Sequence, residues 1–229
     1  MTMAMQTYKT ANIEIKIRSA GFVPLDVLLV GATGVGKSST LNALFGSEIA
    51  KVGTGVDPET QLVQSYRLND VIRFWDSAGL GDGKEADKRH TKNLTDILCK
   101  TYKHSDGTWG FIDLVVVVVD GSLRDLGTTF NLLENVILKT IQPERVIVLI
   151  NQCDMAMKGH YWDRVNHVPK HELKDFLNEK VRSVKRRLKE STDLDVRNIV
   201  YYSATERYGL SKVMDTIIHA IPQTKRALK

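Results

Sequence analysis

The stretch Gly31-Ala32-Thr33-Gly34-Val35-Gly36-Lys37-Ser38 decides how this chain is read. It follows an apolar run, Val27-Leu28-Leu29-Val30, and precedes a helix-like stretch from Ser38 to Phe45. A G-x-x-x-x-G-K-[ST] pattern between a strand and a helix is a phosphate-binding loop. Successive backbone N–H groups must curl around the anion, a curl that side chains at Gly31, Gly34 and Gly36 could obstruct. The N-terminus of the following helix adds unpaired donors and a positive dipole end. Lys37 brings a point charge to the outer phosphates, and the Ser38 hydroxyl is suited to Mg²⁺. Without Lys37 and Ser38 the same residues would read as a glycine turn entering a helix.

Around this loop the chain alternates strand and helix patterns, the signature of an α/β domain with a mostly parallel sheet. Leu25 to Val30 reads as the first core strand and Lys37 to Phe45 as the first helix. Residues 46–60 form a polar loop, long enough to be a functional candidate. Leu62–Leu68 and Val71–Trp75 flank Asn69-Asp70 and read as a hairpin. A loop from Asp76 to about Gly83 leads to a helix reaching about Lys103. Ile112 to Val119 is nearly all β-branched, hence a strand buried on both faces. A helix near Gly127–Lys139 and a strand over Arg145–Ile150 follow. A long helix from about Lys170 to Glu190 carries Leu173, Phe176, Leu177, Val181, Val184 and Leu188 on one stripe. Ile199–Tyr202 is the last strand and Leu210–Ile221 the last helix. Residues 1–24 read as an N-terminal extension, 25–222 as the main domain and 223–229 as a tail. Alternation of Ile13, Ile15 and Ile17 with polar residues points to a short extra strand in the extension.

The 229 residues suffice for one domain with a sizeable core. The net charge of +5 is mildly basic, which permits an acidic partner without demanding one. Two cysteines, Cys99 and Cys153, make no disulfide framework and fit a reducing compartment. The longest apolar run, Leu114–Val119, has the length of a strand and not of a membrane span. The N-terminus lacks the charged-then-apolar order of a signal peptide, and neither end carries a lipidation motif. A cytoplasmic protein is expected.

Three further motifs stand at strand ends. Asp76-Ser77-Ala78-Gly79 is a D-x-x-G about 45 residues after the phosphate loop begins. Its carboxylate can hold a Mg²⁺-bound water, and the Gly79 N–H can approach a γ-phosphate. Asn151-Gln152-Cys153-Asp154 directly follows the Arg145–Ile150 strand. Guanine presents two N–H donors side by side, which a carboxylate such as Asp154 matches and adenine lacks. A site built on such bonds rejects the wrong base by roughly 10⁴–10⁵. On its own the tetrapeptide would be an ordinary Asn/Asp turn. Ser203-Ala204-Thr205 follows Tyr201-Tyr202; its N–H groups are able to bond guanine O6, and on its own the tripeptide reads equally as an ordinary strand-ending turn.

These four motifs, in this order, resemble the G1, G3, G4 and G5 elements of Ras-like P-loop GTPases of the translation-factor-related class. Gly34-Val-Gly-Lys-Ser-Ser, Leu41-Asn-Ala-Leu-Phe-Gly and Asp76-Ser-Ala-Gly-Leu-Gly-Asp-Gly are worded most like the Era-like group, in particular its bacterial prophage-encoded single-domain members. The resemblance covers about residues 25–222 and implies a three-layer α/β P-loop NTPase fold. Its six-stranded sheet would have order 2-3-1-4-5-6, with strand 2 antiparallel. It further implies GTP/GDP contacts from Gly31, Thr33, Gly34, Val35, Gly36, Lys37, Ser38, Ser39, Asp76, Asn151, Gln152, Asp154, Ser203, Ala204 and Thr205. Mg²⁺ would be held by Ser38, Thr60 and Asp76. Lys37, Thr60 and Gly79 would act on the γ-phosphate. Thr60, 22 residues after Ser38, is the expected switch I threonine, with Thr54 as the alternative.

The chain departs from the pattern at three places. Leu80 stands where Ras-type enzymes carry a water-orienting glutamine. Intrinsic hydrolysis is therefore expected to be slow, with help from a partner or a nucleotide-dependent homodimer. Gly34 stands where K⁺-activated relatives carry asparagine, so K⁺ is not expected as a cofactor. Gln152 replaces a lysine whose stem covers the base; being shorter and uncharged, it should hold nucleotide less tightly. Arg182, Lys185, Arg186 and Lys189 form a basic stripe on the long helix, read as a solvated face in preference to an RNA or membrane contact. The rival readings are an ATP-using P-loop enzyme, a nucleotide-held scaffold with little hydrolysis, and a ribosome- or RNA-associated assembly factor. The effector is not legible.

Overall fold

The computed structural model describes residues 3–22, 24–45, 63–67, 71–77, 84–105, 107–123 and 127–227. Thr54, Thr60, Asn69, Asp70, Gly79 and Leu80 lie outside the described residues.

Six strands form the central sheet: β1 (Leu25–Val30), β2 (Val63–Arg67), β3 (Ile72–Ser77), β6 (Leu114–Asp120), β7 (Val146–Asn151) and β10 (Asn198–Tyr201). They run β10-β7-β6-β1-β3-β2 across the sheet. Five are parallel, and β2 alone is antiparallel, pairing with β3. β1 and β6 are buried over nearly their whole length, as expected of central strands covered on both faces. Period-2 alternation splits their side chains into two cores. Val27 and Leu29 join Leu41, Leu44, Val213 and Ile217 on one face, and Leu28 and Val30 join Leu94, Leu98, Ile137 and Leu188 on the other. The result is a three-layer α/β sandwich. Helices α2 (Lys37–Phe45) and α7 (Leu210–Ala220) cover the first face. Helices α3 (Lys84–Cys99) and α6 (His171–Thr192) and the helical run α4 (Gly127–Leu132), a π-turn (Leu133–Ile137) and α5 (Leu138–Thr140) cover the second.

The extension holds a helix and not a strand: α1 spans Met3–Ser19. Ile13 and Ile17, four residues apart, share one helix face and are buried, whereas Ile15 is 65% exposed. Both enter the same core as α2 and α7. Lys9 fastens α1 to α7 through Asp215 and the Ser211 carbonyl. The third helix stops at Cys99 instead of running to Lys103. The chain then turns into a hairpin, β4 (Thr101–His104) with β5 (Gly107–Gly110).

On α6 the apolar stripe is narrower than its sequence pattern. Leu173, Leu177, Val184 and Leu188 are buried, but Phe176 is 39% exposed at the stripe's flank. The basic stripe faces solvent, where Arg182 pairs with Glu179, Lys185 with Asp195 and Lys189 with Asp193. Between β7 and α6 lie a 3₁₀ segment (Cys153–Gly159) and a second hairpin, β8 (Trp162–Asp163) with β9 (Val168–Pro169). Cys153, Ala156, Trp162, Leu173 and Leu177 close a small third core there. No helix among the described residues is long and apolar enough to cross a membrane.

Candidate nucleotide site

The phosphate loop leaves β1 at Val30 and enters α2 at Lys37. Gly34 and Gly36 have φ of +81° and +89°, a region side chains disfavour. Gly36 is fixed a second way, because an added Cβ would lie 2.4 Å from the Asn151 Nδ2 atom. Gly31 lies against β6, where a Cβ would stand 2.5 Å from the Val118 carbonyl oxygen. Lys37 folds its ammonium back over the loop, donating to the Gly31 carbonyl at 3.0 Å and the Ala32 carbonyl at 3.4 Å. Thr33, Gly34, Ser38 and Ser39 are exposed at the loop surface, and Val35 is buried beneath it. Ser38 belongs to the first turn of α2, where backbone N–H groups have no helical acceptor.

The base side is built from the ends of β7 and β10. Asn151 is almost fully buried and bridges two loops: its amide donates to the Val35 carbonyl at 2.9 Å and its Oδ1 accepts the Ala204 N–H at 3.0 Å. Gln152, in the left-handed region at φ 57°, donates to the Gly34 carbonyl at 3.1 Å. It therefore reaches the phosphate loop despite being shorter than lysine. Cys153 is buried, and burial pushes its thiol well above the usual range, so it stays protonated and fills space. Asp154 follows, half-buried, in the first turn of the 3₁₀ segment. Of the three candidate donors for a base oxygen, the Ser203 N–H goes to the Tyr208 carbonyl and the Ala204 N–H to Asn151. Thr205 is exposed beyond them.

Parallel pairing aligns the remaining pieces along one edge of the sheet. Asp76 is in register with Leu29, and Asp120 with Asn151. Phosphate loop, D-x-x-G strand end and base loops thus meet at the carboxyl ends of the strands, where open α/β sheets bind ligands. Ser38, Thr60 and Asp76 are oxygen donors of the kind Mg²⁺ takes, and the exposed Ser38 hydroxyl at the head of α2 fits that use. Among the described residues, no cluster of His, Cys, Asp and Glu forms a separate metal site.

Two features of this edge escape sequence reasoning. Tyr202, just past the end of β10, and Thr40 of α2, both buried, join the base side to the helix that follows the phosphate loop by a hydroxyl–hydroxyl bond. Lys180 of α6 donates to the Gly121 and Leu123 carbonyls, each at 2.6 Å, and ties the loop after β6 to the helix. Burial lowers the Lys180 pKa, opposed by the Asp120 charge. Its partners are main-chain carbonyls some 60 residues away, so no local pattern signals it.

Residues 26–152 match the model of the 50S ribosome-binding GTPases. A probable GTP-binding protein EngB of Streptococcus thermophilus is 26% identical over 219 residues, covering 93% of this chain and 96% of that protein. An uncharacterized protein of Methanocaldococcus jannaschii is 25% identical over 210 residues, covering 84% and 94%. Among solved structures, Toc33 of Arabidopsis thaliana with Mg²⁺ and GMPPNP superimposes with a TM-score of 0.65 at 14% identity, covering 100% of this chain and 97% of that one. A second structure of the chloroplast translocon components, for which dimerization is important for GTPase activity, gives 0.66 at 13% identity over 99% and 94%. These two likenesses bear on the fold.

Proposed function

Because the chain belongs to the 50S ribosome-binding GTPase family, and so binds and hydrolyses GTP, we propose that it is a Mg²⁺-dependent switch with a slow intrinsic rate. Asn151 carries this reading. One buried amide, three residues before Asp154, ties the Val35 turn of the phosphate loop to Ala204 of the base loop. A carboxylate so placed accepts the paired N–H donors of guanine, while the phosphates extend toward Gly31–Ser38 and the N-terminus of α2.

In this reading the loop N–H groups and Lys37 neutralise the phosphate charge, which is most of what phosphoryl transfer needs from a protein. The Lys37 ammonium would exchange its carbonyl partners for phosphate oxygens. Mg²⁺, held by Ser38, Thr60 and Asp76, would add positive charge at the β- and γ-phosphate oxygens. The Thr60 hydroxyl and the Gly79 N–H would respond to the presence of the γ-phosphate, making the output conformational. Leu80 offers no hydrogen bond to water, so the attack needs a group from elsewhere. A nucleotide-dependent homodimer is a source compatible with the shared fold of the translocon GTPases, in which dimerization matters for activity.

Motif wording supports a finer placement in the Era-like group near prophage-encoded members, and the two cysteines, which make no disulfide framework, support a cytoplasmic location. Leu80 also favours a second reading, a nucleotide-held scaffold with little turnover. The family's description supports a ribosome-associated role. Calorimetry with GDP, GTP and ATP tests the base assignment: micromolar or tighter guanine binding with far weaker ATP is expected, and ATP binding as tight as GDP overturns it. Multiple-turnover phosphate release over a range of protein concentrations separates switch from scaffold. A slow rate that climbs with concentration is expected, equal in Na⁺ and K⁺. Fast turnover at high dilution, or strong K⁺ activation, contradicts the slow, K⁺-independent mechanism.

A further inference from the structure

The Tyr202–Thr40 pair links the two halves of the candidate site by a route separate from Asn151. Both residues are essentially without solvent contact, at 0% and 1% exposure. The Thr40 hydroxyl donates to the Gly36 carbonyl at 2.7 Å, and the Thr40 backbone N–H donates to the same oxygen at 2.8 Å. A threonine hydroxyl has one proton. With that proton on Gly36, the bond between Thr40 and Tyr202 must be donated by the phenol. Burial pushes the Tyr202 phenol upward, so it remains a neutral donor. The direction of the chain is therefore set: Tyr202 to Thr40 to the Gly36 carbonyl.

That carbonyl belongs to the peptide joining Gly36 to Lys37. A planar trans peptide points its N–H opposite its C=O. Pinning the Gly36 oxygen toward α2 turns the Lys37 N–H back toward the hollow of the phosphate loop. At its other end, Tyr202 is held within the base-side framework. Its N–H donates to the Ile150 carbonyl at 2.9 Å, and its carbonyl accepts the Cys153 N–H at 3.1 Å. Ser203 follows directly.

We propose that Tyr202 and Thr40 are positioning residues for the nucleotide, fixing the Lys37 N–H against the phosphates and locking its spacing from the base loop. The proposal rests on the guanine-nucleotide reading of this site. A double-mutant cycle tests it, with GDP affinity by calorimetry and thermal unfolding of the nucleotide-free protein as separate readouts. Tyr202→Phe and Thr40→Val should each weaken GDP about three- to tenfold, the scale of one hydrogen bond. The double variant should be no weaker than the worse single one, because each change breaks the same chain. Thr40→Val should also lower the unfolding temperature by leaving a buried phenol without an acceptor, and adding Tyr202→Phe should recover part of that loss. Additive losses of affinity, or lowered unfolding temperatures with unchanged GDP binding, would show a structural role only and overturn the proposal. Failure of the unmodified chain to bind GDP overturns the guanine-nucleotide reading itself and this proposal with it.

Discussion

At the carboxyl ends of the strands, the buried polar side chains Asn151, Thr40, Tyr202 and Ser203 are neutral. At the amino ends, Asp26, Asp113, Arg145 and Arg226 are ionisable. The second group closes on itself and on main chain. Asp26 accepts two bonds from Arg73, at 2.6 and 3.1 Å, and one from the Trp75 indole at 2.6 Å. Arg145 donates to the Asp113 and Thr224 carbonyls. Arg226, from the C-terminal tail, donates to the carbonyls of Ile112, Leu98 and Thr140. The neutral group instead braces one loop against another, and among the described residues no buried counter-charge stands at the N-terminus of α2. A buried carboxylate there would compete with a phosphate for the positive end of the helix. One end of the sheet is completed by the protein's own charges, and the other is shaped to be completed by an anion.

The largest effect is expected at the closed end. The Arg226 guanidinium is 0% exposed, and the chain is fitted around it: a Cβ on Gly110 would lie 2.4 Å from its central carbon. Arg226→Ala leaves three carbonyls unsatisfied and opens a cavity, at a cost of about 3–5 kcal/mol. Urea unfolding should show that loss. A shift under about 1 kcal/mol would mean that water replaces the guanidinium and that this end is not closed.

Asp113 gives the next effect, read through pH. Burial raises its carboxyl from 3.8 to about 7, opposed by its bond from the Asp26 N–H and by Arg145 and Arg226, and reinforced by the Asp26 charge. Its Oδ1 has no hydrogen-bond partner among the described residues. A carboxyl raised in the folded state binds its proton more tightly there than in the unfolded chain. Stability therefore falls as pH rises from about 4 to about 7 and levels off above. The contribution to the slope approaches about 1.4 kcal/mol per pH unit. Asp113→Asn should remove it. Identical pH profiles of the two proteins would show that Asp113 stays ionised in the fold.

What was legible in the sequence was local. The valine run of β6 and the Gly31–Ser38 motif state their structure within a few residues, and the alternation of patterns yields the layered, mostly parallel sheet. Ile13, Ile15 and Ile17 misled because Ile13 and Ile17 satisfy both a period of 2 and a spacing of 4. Only the packing of α1 on α7 decides between them. Arg226 and Lys180 were silent because main-chain carbonyls leave no trace in sequence, and Tyr202 because an aromatic at a strand end reads as core. At the nucleotide edge, residues of the phosphate and base motifs do converge through Asn151. The roles assigned to Thr60 and Gly79 fall outside the described residues.

At the open end the effects should appear in ligand affinity more than in stability. Gly36→Ala places a Cβ against the Asn151 amide in a backbone region at φ +89°. The strain is roughly 1–3 kcal/mol, so GDP binding should weaken about ten- to hundredfold while the protein remains folded. Retained affinity would mean that the Asn151 bridge yields without consequence for the ligand.

Gln152 should give the smallest effect. Its amide reaches the Gly34 carbonyl at 3.1 Å, but Gly34 is exposed and an added Cβ there would meet nothing within 4 Å. Water takes the place of a lost bond at such a rim, whereas it cannot do so around a fully buried group such as Arg226. Gln152→Ala should therefore weaken GDP only about two- to fourfold, roughly 0.5–1 kcal/mol, with little change in unfolding. Gln152→Lys keeps a donor of greater reach and adds charge near the phosphates, so GDP affinity should be unchanged or tighter. Titration of both variants measures what the rim contributes beside the buried brace. A loss above tenfold for Gln152→Ala would place the glutamine in direct contact with the nucleotide and shift the centre of the site from Asn151 toward its neighbour.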